Sequence, residues 1–64
     1  MQSYDPRIDI IVRALRKAGH NPYDQIQGYL LTGDPAYITR TDNARSLILQ
    51  INQAELVRYL ASKE

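Results

Sequence analysis

Apolar positions along the chain recur at helical spacing in four stretches. Ile8, Ile11, Val12 and Leu15 fall at i, i+3, i+4 and i+7, the stripe of an amphipathic helix. Tyr23, Ile26, Tyr29 and Leu30 repeat the pattern, and Leu31 widens it. Ala44, Leu47, Ile48 and Ile51 make a third stripe, and Leu56, Val57 and Leu60 a fourth. On one continuous helix the fourth stripe would face away from the third. The spacing therefore predicts helices over about 6–18, 22–32, 42–51 and 53–61, with a break near Asn52. The pattern also allows one long final helix packing on two sides across a dimer, because Leu49 shares the side of the fourth stripe.

The polar punctuation agrees with these boundaries. Asp5-Pro6, Asn21-Pro22 and Asp34-Pro35 each place a good N-cap before a proline. The Asx oxygen accepts from an orphan N–H of the first turn, and proline lacks the N–H that would be unpaired there. Gly19 and Gly33 stand where the preceding helices should end in the left-handed conformation. Asn52 followed by Glu55 resembles a capping box. Gly28 costs about 1 kcal/mol of helix propensity against alanine, so its position predicts the close approach of another helix. Between Asp34 and Thr41 the chain is irregular. Asp34–Tyr37 can form one turn, Ile38–Arg40 reads as extended, and Thr41 or Asp42 can cap the third helix.

The expected architecture is all-α: one domain over 1–64 with a short 1–4 tail, built as a small bundle of three or four short helices. At 64 residues and with no cysteine, the core has little spare stability and no disulfide to reinforce it. A homodimer is the expected remedy. Ile10, nearly opposite the first stripe, and Leu49, Leu56 and Leu60 are the candidate dimer contacts.

Composition removes several function classes. Eight Lys/Arg against seven Asp/Glu leave a net charge of +1, which gives no general footprint for nucleic acid. No apolar run approaches the ~20 residues of a membrane span, and no signal peptide opens the chain, so a cytoplasmic location is expected. His20 is the only histidine, lies in a turn, and cannot be half of a histidine pair on zinc. The carboxylates are scattered, with several in capping positions. No phosphate loop or Ca²⁺ loop is present. No catalytic, metal or cofactor-binding residue is assigned, and an enzyme is not expected.

All five aromatics are tyrosines: Tyr4, Tyr23, Tyr29, Tyr37 and Tyr59. A tyrosine can bury its ring at a core edge or offer a polar tip to a partner. Tyr37, in the irregular segment, is the best placed for the second role. With Arg40 and Arg45 it forms the candidate partner-binding surface. A competing reading uses Arg40 and Arg45 as phosphate contacts of a small nucleic-acid-binding module at a helix N-terminus. The balanced charge makes nucleic acid the poorer fit.

The run Gly19-His20-Asn21-Pro22, then Gln25-Ile26, Gly28-Tyr29-Leu30-Leu31, Gly33-Asp34-Pro35-Ala36-Tyr37-Ile38-Thr39 and Asn43-Ala44-Arg45 resembles the core signature of the IreB family of bacterial regulatory phosphoproteins. The resemblance is strong from Gly19 to Ile48 and weaker over the first helix. It implies a small helical homodimer without catalytic activity. It also implies a place downstream of a transmembrane Ser/Thr kinase with extracellular PASTA domains, in the cell-envelope stress response. The family's phosphorylated threonines lie in an N-terminal tail. Here no Thr precedes Thr32, and Ser3 is the sole Ser/Thr before it, so the resemblance transfers a phosphosite to no residue.

Overall fold

A computed structural model of the chain describes residues 5–62. Ser3, Tyr4, the 1–4 tail and Glu64 lie outside the described residues. Four helices follow one another, α1 Arg7–Lys17, α2 Pro22–Thr32, α3 Ala44–Gln50 and α4 Gln53–Ser62, with 3-10 turns at Pro35–Tyr37 and Thr41–Asn43 between α2 and α3. The all-helical class and the four elements are as the periodicity predicts.

The caps explain the boundaries. Pro6, whose side chain has no acceptor to cap with, holds the N-cap position of α1, and Asp5 Oδ1, one residue earlier, accepts from the Arg7 N–H at 2.9 Å. The Arg7 guanidinium grips the same carboxylate at 2.7 Å. That charge-assisted bond holds the Asp5 carboxyl below its usual range, helped by the Arg7 backbone N–H. Asn21 Oδ1 accepts from the Asp24 N–H at 3.2 Å and opens α2. Gly19 and Gly33 both adopt positive φ, 83° and 71°, as helix-ending glycines do. After Gly19, the His20 N–H donates to Leu15 O at 2.9 Å.

α1 packs on α3, on α2 and on the second 3-10 turn, while α2 packs on α4 and on the first. Between them lie Ile8, Ile11, Leu15, Ile26, Ile38, Ile48 and Leu56, all fully buried. No polar side chain of the described residues is buried. The core is thus built from aliphatic side chains with Tyr29 and Tyr59 at its edge.

The end of α3 separates the two arrangements left open for the C-terminal half. Ile51 is extended, with φ −95° and ψ 135°, so α3 and α4 are not one helix. Asn52 Oδ1 accepts from the Ala54 N–H at 2.8 Å, and Asn52 O accepts from the Glu55 N–H at 2.9 Å. The Glu55 carboxylate pairs with Arg58 at 3.1 Å. The bend turns Leu56 and Tyr59 of α4 onto the chain's own core, while Val57 of the fourth stripe stays 56% exposed. Leu56 is therefore fully buried within one chain and is not free for the subunit contact expected of it, while Leu60 packs partly buried against the core. Leu31, expected on the apolar face of α2, is instead 79% exposed, at the last turn before Gly33.

The start of α3 also differs from expectation. Neither Thr41 nor Asp42 caps it. Asn43 holds the N-cap position without a side-chain cap bond, and α3 begins at Ala44. Asp42 and Asn43 both take left-handed conformations, φ 53° and 59°, which their short polar side chains tolerate better than most. Arg40, read as extended, has φ −81° and ψ −11°. The Asp42 carboxylate reaches Lys17 Nζ at 3.3 Å and ties the turn to the end of α1. Thr39 Oγ1 accepts from the Thr41 N–H at 3.2 Å.

Leu56→Ala should cost about 2–5 kcal/mol, as for a fully buried leucine. Urea denaturation should show a loss of that size that does not change with protein concentration. A loss that vanishes on dilution would return Leu56 to a subunit contact.

Candidate functional site

The candidate site is built on the connection between α2 and α3. Thr32 Oγ1 donates to Gly28 O at 2.8 Å and accepts from the Asp34 N–H at 3.2 Å. Asp34 Oδ1 then accepts from the Ala36 N–H at 2.9 Å, and proline at 35 begins the 3-10 turn. Ile38 leaves the turn extended, at φ −106° and ψ 128°, and drives its side chain wholly into the core. A non-helical segment is thereby anchored at its middle.

Tyr37, one residue earlier, lies across Gly28. A Cβ added to Gly28 would stand 2.6 Å from Cδ1 and Cε1 of that ring and 3.1 Å from Cζ. The close neighbour at Gly28 is thus an aromatic ring from the following turn, where the sequence suggested another helix. The ring remains 41% exposed. Beside it an open depression of roughly 300 Å³ is lined by Gln25, Asp34, Ala36 and Tyr37.

Arg45, partly buried, donates from Nε to Ile38 O at 3.0 Å. One member of the candidate surface therefore braces the segment that carries another. Arg40 is exposed and forms no ion pair among the described residues. Arg45 thus bonds the backbone one residue after Tyr37, and Arg40 follows two residues after Ile38. Ile10 on α1 and Leu49 on α3 are 45% and 61% exposed, on helices that pack together.

This geometry does not favour the nucleic-acid reading. α3 is seven residues long, Arg45 is engaged with a carbonyl, and the Asp42 carboxylate stands just before the helix. Among the described residues no group of three His, Asp or Glu side chains could hold a metal ion, and no helix is long and apolar enough to cross a membrane. Sequence reasoning did not identify Ile38 as a core residue, nor Gln25 as a neighbour of Tyr37. A lone Ile in an irregular stretch has no periodicity to mark it.

The chain matches the family model described as IreB regulatory phosphoprotein over residues 2–63, and it belongs to that family. A UPF0297 protein of Lachnoclostridium phytofermentans is 49% identical over 53 residues, covering 83% of this chain and 60% of that protein. The chain thus matches a little under two thirds of that relative's length.

A double-mutant cycle checks the seat of the ring. In a Tyr37→Ala background, Gly28→Ala should stabilise the chain by about 1 kcal/mol, the propensity difference in a helix interior. With Tyr37 present, the gain should be lost or reversed, because the new methyl meets the ring. Equal effects in both backgrounds, measured by urea denaturation, would show that the ring does not occupy this place.

Proposed function

We propose that this IreB family member is a non-enzymatic regulator that works by binding other proteins. Its contact surface is the exposed side of the 34–45 segment, led by Tyr37 and Arg40. Membership of a family of regulatory phosphoproteins is the observation that carries the reading. The arrangement of the segment supports it. A loop pinned by Ile38 and Arg45 presents exposed side chains at low conformational cost, which favours binding. By family resemblance, the pathway is that of a PASTA-domain Ser/Thr kinase in the cell-envelope stress response, and the site of action is the cytoplasm.

We further propose that the chain acts as a homodimer, with Ile10 and Leu49 at the contact. These apolar side chains have no use in the chain's own core. Sedimentation at tens of micromolar should give twice the chain mass. A monomer at that concentration would remove this part.

The contact surface is tested by capture from the native cytoplasm with the tagged chain, quantified by mass spectrometry. Tyr37→Ala combined with Arg40→Ala should abolish enrichment of kinase-pathway proteins. Arg45 is left intact in that variant because its loss would also free the Ile38 carbonyl. Unchanged enrichment would place the contact elsewhere.

A further inference from the structure

We propose that the depression between α2 and the first 3-10 turn is a receptor for a single arginine side chain of a protein partner. This rests on the protein-contact reading above and names the chemistry of one part of it.

The lining decides the charge of the ligand. Gln25, Asp34, Ala36 and Tyr37 surround the space, and none of them is a cation. A phosphate or carboxylate would find no counter-charge there. A cation would find the Asp34 carboxylate. One of its oxygens is fixed on the Ala36 N–H at 2.9 Å; the other forms no hydrogen bond among the described residues, and the residue is exposed. The Gln25 carboxamide adds a neutral acceptor.

Shape decides between the two common cations. The Tyr37 ring is backed by Gly28, with no room for even a methyl group between them, while 41% of the residue remains open to solvent. A ring held flat against a helix is a pre-set platform. A planar guanidinium can stack on such a face and keep its N–H groups free for the neighbouring carboxylate, which suits this lining better than a compact, strongly hydrated ammonium does. The space, roughly 300 Å³ and open, is at the low end for small-molecule sites. It suits one side-chain head group.

The segment's own construction keeps Asp34 and Tyr37 in register. The Tyr37 N–H donates to Asp34 O at 3.2 Å, and the Ile38 N–H donates to Pro35 O at 3.0 Å. Asp34 and Tyr37 are therefore the ends of a single hydrogen-bonded turn, anchored by the buried Ile38.

The test is an amide-resolved NMR titration of the full chain with acetyl-arginine amide, and with acetyl-citrulline amide as the neutral isostere. The arginine probe should bind weakly, with Kd on the order of millimolar for so small a contact. Its shifts should centre on Gln25, Asp34, Ala36 and Tyr37, and citrulline should not reproduce them. Asp34→Asn retains a side-chain acceptor for the Ala36 N–H, since Asn caps as well as Asp, and removes only the charge. It should weaken the arginine probe roughly two- to five-fold, the range of an exposed ion pair. Equal responses to the two probes, shifts spread evenly over all carboxylates, or an Asp34→Asn variant that binds arginine as well as the parent would overturn the proposal. If the probes act alike while capture still depends on Tyr37 and Arg40, the arginine site fails and the protein-contact reading stands.

Discussion

The connection between α2 and α3 depends on one buried side chain. Ile38 lies in the connection between α2 and α3, yet it is as inaccessible as any residue of the core. Burying an Ile contributes about 1.5–3 kcal/mol, while fixing each residue of a loop costs about 1–2 kcal/mol of backbone entropy. Ile38 alone cannot offset the ordering of the stretch around it. Local bonds add to it: the Asp34 cap, the Thr39 bond to the Thr41 N–H, the Lys17–Asp42 pair and the Arg45 bond to the Ile38 carbonyl. Each is modest. Together they fasten an otherwise exposed loop to the core at Ile38.

That construction divides the candidate surface into support and display. Arg45 supports, because its Nε is spent on the backbone. Tyr37 does both, with its ring against Gly28 and part of it open to solvent. Arg40 only displays. The same division accounts for Gly28. Its cost in helix propensity is accepted because a methyl group there would lift the ring from its seat. The proposed contact surface would thus owe its shape to the core beneath it.

The helices were legible in the sequence because their signals are redundant. Asn21, Pro22 and Gly33 bracket α2 exactly where the apolar repeat begins and ends, and the Asn52 stop falls where the stripe changes side. The misses have separate causes. Leu56 looked like a subunit contact because its stripe opposes that of α3 on a straight helix, and the extended Ile51 reverses that geometry. Ile38 carries no periodicity, since a single anchoring residue has no repeat. The left-handed pair Asp42 and Asn43 displaced the expected cap because the chain had to turn there before α3 could pack on α1. In the candidate site the residue types of Tyr37, Arg40 and Arg45 could be picked out, but their division of labour depends on contacts across the chain.

A pre-formed surface requires a rigid 34–43 connection, and backbone ¹⁵N relaxation measures that rigidity directly. Amides from Ala36 to Asn43 should show order parameters near 0.85, the level of rigid backbone and of the flanking helices. Values below about 0.6 across the segment would mark a flexible loop. The Ile38 anchor, the seated ring and the pre-formed surface would then all be contradicted together.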